Sequence, residues 1–442
     1  MTPWSLVSAS SESSASPSST PVSPTPRDTV APGRDGQTPV VAMIGGGQLA
    51  RMTHQAAIEL GQTLRVLANG PLESAAQVTP NVVFGAHDDL DALREAAKGA
   101  HALTFDHEHV PQEHLQTLVE EGVNVQPPPQ ALLHAQDKLV MRNRLRELGA
   151  PVPEFAEVAT TQDVLDFGNE HGWPVVVKAV RGGYDGRGVW MPADASEAVQ
   201  VVEELLDRGT PLMVEQKVAM TRELSAMVAR SPFGQGASWP VVETVQRDGI
   251  CVTVVAPAAD LPADLAAEAE ALALRLAAEL GVVGSLAVEL FETVGADGAH
   301  GIVVNELAMR PHNSGHWSQD GARTSQFEQH LRAVLDYPLG DTSPVAPVTV
   351  MGNVIGAEVT PEMSMDERLH HLFARLPEAK VHLYGKGERP GRKIGHVNVL
   401  GAAGGSLEDP DYVAGVRERA ERAAHWLSHA EWTDGWDGHT HE

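Results

Sequence analysis

Cysteine is almost missing: the 442-residue chain has one, Cys251. An intrachain disulfide and a cysteine-rich zinc site are therefore excluded, which fits a reducing, cytoplasmic compartment. Basic residues are scarce. There are 32 Lys and Arg against 59 Asp and Glu, a formal charge of −27. Such a surface repels polyphosphate and argues against broad nucleic-acid binding, though a few cations can still gather in one cleft around a small phosphorylated ligand. No stretch approaches the ~20 apolar residues of a membrane span. The basic start and apolar run of a signal peptide are absent too.

What is present divides the chain into segments. At roughly 150 residues per domain the length suggests about three. Residues 1–37 are dominated by Ser, Thr, Pro and Ala and predict a disordered tail, because they offer too little apolar surface to offset the entropy of ordering. Residues 38–136 alternate short apolar strands with helices, which predicts a parallel α/β, Rossmann-like domain. Strands are expected at 39–44, 64–68, 102–105 and 123–125. Residues 137–208 read as a small α+β module. Residues 209–430 read as a larger α+β domain. It has a hairpin turning at Asp248-Gly249, a long Ala-rich helix over 263–280, and a closing subdomain from about 345. Residues 431–442, with Trp432 and Trp436, are expected to fray.

Five groups of residues can carry chemistry. Gly45-Gly46-Gly47-Gln48 joins a strand to a helix. It is either a tight turn or a place where helix N–H groups meet an anion. Lys178 precedes the loop Gly182-Gly183-Tyr184-Asp185-Gly186-Arg187-Gly188. Glycine amides closing over phosphates beside a lysine divide the work as kinases do, although the spacing differs from kinase and P-loop motifs. Glu289 and Glu306 each sit among apolar residues on adjoining strands. Two buried carboxylates need a cation between them, either magnesium shared with substrate phosphates or salt bridges to Arg310 or Lys178. His312-Asn313-Ser314-Gly315-His316-Trp317 crowds polar groups that can orient a small substrate or serve acid–base work. Arg389-Pro390-Gly391-Arg392-Lys393 puts three cations into five residues of an acidic chain. It is a solvated turn or a phosphate grip.

In this order, and with Glu215-Gln216 and Asn305-Glu306 between, these motifs resemble the ATP-grasp ligases. Within them they are similar to the 5-(carboxyamino)imidazole ribonucleotide synthases of purine biosynthesis. The resemblance runs from about residue 39 to 427. It implies a lid-like central module, a homodimer, and three small-molecule substrates: ATP, bicarbonate and aminoimidazole ribonucleotide. It further implies ATP contacts from Lys138, Lys178, the 182–188 loop, Glu215, Gln216, Lys217, Val218, Glu223, Gln246, Asn305 and Glu306. Magnesium would lie on Glu289 and Glu306. The ribonucleotide would touch Gln48, Tyr184, Asp185, Arg187, Asn313, Ser314, His316, Arg389, Arg392 and Lys393. Lys178, Asp185, Arg187, Arg310 and His316 would carry catalysis. Gln246 stands where many relatives have His, and Met309 where Pro is common. Another ATP-grasp ligase, either a formate-using transformylase or a biotin carboxylase-like enzyme, would share the nucleotide half. A non-catalytic nucleotide-binding module would be expected to lack Lys178 or the paired carboxylates.

Overall fold

The computed structural model describes residues 38–183 and 188–436. The expected N-terminal tail, the last six residues, and Tyr184, Asp185, Gly186 and Arg187 of the glycine loop lie outside the described residues. From Thr38 onward the chain forms one unit containing three sheets.

The first sheet is parallel, in the order Val82–Phe84, Thr63–Ala68, Val40–Ile44, Ala102–Phe105. Val40–Ile44 is an unbroken apolar run buried over its last four residues, as a central parallel strand covered on both faces should be. The edge strand Val82–Phe84 is not legible in sequence because three residues carry no period. The strand expected at 123–125 is reduced to a single bridge between Leu103 and Val125. The helix Pro129–Gln136 is masked by three consecutive prolines, which read as a breaker. In fact Pro129 starts the helix, where a missing N–H costs nothing.

The second sheet is antiparallel, in the order Phe155–Val158, Leu212–Gln216, Val175–Ala179, Val189–Trp190. Helices Thr161–His171 and Ala195–Asp207 close its core through Val164, Phe167, Ala198 and Val202. Strand Leu212–Gln216, expected to open the third segment, pairs in this sheet, with Met213 opposite Lys178. The sequence shows no break after 216 because the chain passes from one strand almost directly into the next, Met220–Arg230.

The third sheet has nine strands. Its main path is His300–Ala308, Gly284–Val294, Met220–Arg230, Val242–Arg247, Ile250–Ala256, Thr349–Ile355, Lys393–Leu400, Lys380–Leu383. The short Gly236–Ser238 pairs with Met220–Arg230. The hairpin turns where expected, with φ of 52° at Asp248 and 74° at Gly249, both in the left-handed region a two-residue turn needs. The segment from about 345 shares this sheet, since Thr349–Ile355 pairs with Ile250–Ala256. Its helix Pro410–His429 packs on Thr349–Ile355 through Val416, Ala420 and Ala423. Trp432 and Trp436, in the segment expected to fray, make ring contacts. Trp432 stacks on Trp426 with ring centres 4.4 Å apart, and Arg375 lies over both Trp432 and Trp436.

Candidate active site

The C-terminal ends of the first sheet's strands and the second and third sheets contribute to one cavity of about 1140 Å³. Open α/β sheets bind ligands at that end of their strands.

Gln48 and Leu49, directly after the glycine turn, line the cavity's first edge. Gly45 has φ 105°, and a Cβ there would meet the His107 ring at 2.8 Å. The anion at the following helix N-terminus is the protein's own: the Gly47 N–H donates to Asp106 Oδ2. Burial pushes the Asp106 carboxyl up, against the Gly47 N–H, Arg310 and Lys386. Gln48 faces the cavity and accepts a hydrogen bond from Lys386.

On the cavity wall formed by the second sheet, Glu215 takes a cation on each carboxylate oxygen. Arg142 Nε is 2.5 Å from Oε1 and Lys178 Nζ 2.6 Å from Oε2. Burial pushes the Lys178 ammonium down, with Glu215 opposing it. Burial also acts to raise the Glu215 carboxyl, and the two cations outweigh it and hold it low. Gly182 and Gly183 line the cavity here, as do Gln216, Lys217 and Val218. Gly188 has φ 76° and does not reach the lining. Glu223 and Gln246 lie further along the same wall. Burial, helped by the Glu289 charge, raises Glu223 to about 6.

Glu289 and Glu306 are direct cross-strand partners in the register of the two long strands. Their nearest basic side chains are neither Arg310 nor Lys178, the two foreseen. Lys138 Nζ lies 2.8 Å from Glu306, and His312 Nε2 lies 3.2 Å from Glu289. Burial works to raise the Glu289 carboxyl, but His312, Lys393 and Arg310 together hold it below its ordinary value. Among the described residues no cluster of three or more His, Cys, Asp or Glu is arranged to hold a metal. A cation here would therefore need substrate oxygens beside these two carboxylates.

Arg310 turns away from the carboxylate pair to Glu108, Nε to Oε2 at 2.7 Å. Glu108 was missed from sequence, as were His107 and His109, which also line the cavity. The signal was available: Asp106-His107-Glu108-His109 follows the end of a parallel strand directly. Burial, with His109, His87 and Arg310 nearby, lowers the His107 pKa to about 3, so this ring is neutral.

His312 caps the short turn Asn313–Gly315. Asn313, Ser314 and His316 line the cavity. Ser314 is held by Ser225 at 2.8 Å, and the Asn313 amide nitrogen is buried without a hydrogen-bond partner among the described residues. His316 is 1% exposed, with Nδ1 2.9 Å from the Gln326 amide. Burial carries it well below its ordinary pKa, so it offers a neutral imidazole. Of the basic cluster, Lys393 reaches the cavity. Arg389 is exposed on the turn outside it, and Arg392 bonds the Gly387 carbonyl at 3.2 Å. The structure does not bring these two arginines to the lining.

Three family descriptions match the chain in succession: the ribonucleotide synthetase preATP-grasp domain over residues 39–136, the ATP-grasp domain over 143–327, and the phosphoribosylaminoimidazole carboxylase C-terminal domain over 349–409. The N5-carboxyaminoimidazole ribonucleotide synthase of Mycobacterium tuberculosis (strain ATCC 25618 / H37Rv) is 66% identical over 401 residues, covering 91% of this chain and 90% of that protein. That of Corynebacterium ammoniagenes is 54% identical, over 90% and 94%. The N5-carboxyaminoimidazole ribonucleotide synthetase structure from Thermus thermophilus superposes with a TM-score of 0.76 at 34% identity, covering 90% of this chain and 100% of that one. The Aspergillus clavatus N5-carboxyaminoimidazole synthase in complex with ADP and 5-aminoimidazole ribonucleotide gives 0.75 at 30%, over 87% and 99%.

Proposed function

The chain belongs to the N5-carboxyaminoimidazole ribonucleotide synthases, ATP-grasp ligases of de novo purine biosynthesis, and from that premise we propose how its residues divide the work. The reaction joins bicarbonate to the exocyclic amine of 5-aminoimidazole ribonucleotide, with ATP converted to ADP and phosphate. The supporting observation is the meeting of Lys178, the Glu289–Glu306 pair and the Asn313–His316 turn in one cavity.

Lys178 and the amides of Gly182 and Gly183 hold the ATP phosphates. Gln216, Lys217 and Val218, with Glu223 and Gln246, take the adenosine end. Glu289 and Glu306 are hard oxygen donors in cross-strand register at the cavity surface, with the Asn305 amide beside them, and this set suits magnesium. When bound, magnesium would neutralise phosphoryl oxygens. A bicarbonate oxygen attacks the γ-phosphorus and the bond to ADP breaks, giving carboxyphosphate. Arg310, fixed by Glu108, supplies positive charge to these anions. The amine nitrogen then takes the carboxyl carbon, phosphate leaves, and the amine gives up a proton. Lys393, Asn313 and Gln48 orient the ribonucleotide, with His316 behind them as a neutral hydrogen-bonding group. Arg389 and Arg392 belong to the phosphate approach at the rim. Tyr184, Asp185 and Arg187 complete the site by resemblance.

The organisation into 38–136, 137–216 and 220–436, a homodimer and a cytoplasmic location belong to the same proposal and rest on sheet membership and on the family. Among the described residues no helix is long and apolar enough to cross a membrane. The test is ADP release with bicarbonate or formate, with and without the ribonucleotide. Release that needs bicarbonate and ribonucleotide together supports the reading. Release with formate in place of bicarbonate refutes it.

A further inference from the structure

We propose that Arg142 is a positioning residue for Lys178, acting through Glu215, and that it leaves net positive charge behind the phosphate site. The proposal rests on the reading of Lys178 as an ATP-phosphate contact.

Arg142, Glu215 and Lys178 are 0%, 3% and 8% exposed. With Asn305 they close a ring. Arg142 Nε donates to Glu215 Oε1 at 2.5 Å, and Lys178 Nζ donates to Oε2 at 2.6 Å. Lys178 also donates to the Asn305 side-chain oxygen at 3.3 Å, and a terminal nitrogen of Arg142 donates to the Asn305 carbonyl at 2.7 Å. The members come from helix Lys138–Glu147, strands Leu212–Gln216 and Val175–Ala179 of the second sheet, and strand His300–Ala308 of the third. Arg142 thus ties the module that carries Lys178 to the strand that carries Glu306.

The charges decide what the ring does. Two cations and one carboxylate sum to +1, and the neighbouring Lys138–Glu306 pair sums to zero. Without Arg142, Lys178 and Glu215 would form a neutral, closed ion pair, and an incoming phosphate would meet no net charge. Burying an additional cation is costly. Arg142 is fully buried even so, and its remaining terminal nitrogen has no hydrogen-bond partner among the described residues, which folding stability alone does not call for. Its planar fork spans Glu215 and the Asn305 carbonyl together, a geometry lysine lacks.

The test uses the full chain and four variants: Arg142→Met, Arg142→Gln, Lys178→Met and the double variant Arg142→Met/Glu215→Gln. ADP release is measured with ATP varied and then with ribonucleotide varied, beside the Tm of each protein. Arg142→Met is expected to raise the KM for ATP about ten- to hundredfold, the size of a lost charge-assisted contact, with the KM for ribonucleotide within about twofold of wild type. The double variant returns the ring to +1 and should recover much of the lost ATP affinity. A purely structural brace gives the opposite order, with the double variant worse than the single. That order overturns the proposal, as does an unchanged KM for ATP in Arg142→Met whatever its Tm. If Arg142→Met does not fold, Arg142→Gln takes its place as the neutral variant and is read the same way: a raised KM for ATP with recovery in the double variant supports the proposal, and an unchanged KM overturns it. Lys178→Met separates the two layers. An unchanged KM for ATP there refutes Lys178 as a phosphate contact, and with it this proposal. A raised KM there beside unaffected Arg142 variants refutes the role of Arg142 alone.

Discussion

Glu223→Gln should stabilise the ligand-free enzyme above pH 6 while weakening its hold on ATP. Glu223 lies on strand Met220–Arg230 at the cavity wall. Burial, reinforced by Glu289 and opposed by a hydrogen bond with Gln246, raises its pKa to about 6 from 4.5. At 1.36 kcal/mol per pH unit this is about 2 kcal/mol. The side chain keeps some solvent contact, and screening reduces the figure to about 1 kcal/mol. The sign follows from linkage: the folded chain holds this proton more tightly than the unfolded chain does. Below about pH 4.5 both hold it and the charge contributes nothing. As pH rises through about 6 the folded state must carry a buried carboxylate, and the penalty is complete above about pH 7. Gln keeps the shape and the partner but not the charge. The Tm difference between variant and wild type should therefore be near zero at about pH 4.5 and level off at about 1 °C above pH 7. Calorimetry of both proteins in EDTA without nucleotide measures it. Equal Tm values at about pH 7.5, or a gain that does not change with pH, would refute the reasoning. The same variant should raise the KM for ATP about tenfold, because a charge-assisted bond becomes a neutral one.

Glu306→Ala should abolish ADP release and leave the fold intact. Its carboxylate is 38% exposed in the pair with Lys138, so losing the pair costs under about 1 kcal/mol; near-normal turnover at ordinary magnesium would remove Glu306 from the metal site. Lys393→Ala should raise the KM for ribonucleotide about ten- to hundredfold and spare that for ATP, with Arg392→Ala well behind it, because Lys393 alone of the cluster reaches the cavity. Equal effects would place the phosphate on the turn. Trp432→Ala should destabilise by about 3 kcal/mol, since the ring is 7% exposed and stacked on Trp426; an unchanged Tm would mean the stack does not form in solution. Removing residues 1–37 should change neither Tm nor turnover, as their composition and the family match beginning at residue 39 suggest; a fall of many degrees would show that they pack.

Local rules served best where local physics decides. The apolar run 40–44, the Asp248-Gly249 hairpin and the Ala-rich helix over 263–279 all lie where residue pattern alone placed them. Glycines before Gln48, carboxylates in apolar strands and the polar turn after Arg310 likewise marked the cavity, because residue types so costly or so permissive have few other uses. Pairings across the chain were beyond that reach. Arg142 meets Glu215 across 73 positions, Lys138 meets Glu306 across 168 and Arg310 meets Glu108 across 202. A charge reads the same in sequence whatever it will face, so only the assembled sheets decided which cation answers each carboxylate. The same holds for strand Leu212–Gln216, whose pattern fits either sheet and whose membership was settled by hydrogen bonding to Val175–Ala179. It holds again for the basic cluster, where the turn's own geometry turned Lys393 inward and left Arg389 outside. Composition thus determined which groups the protein must neutralise, and packing chose the partner, because burial makes an unpaired charge intolerable without naming what will pair with it.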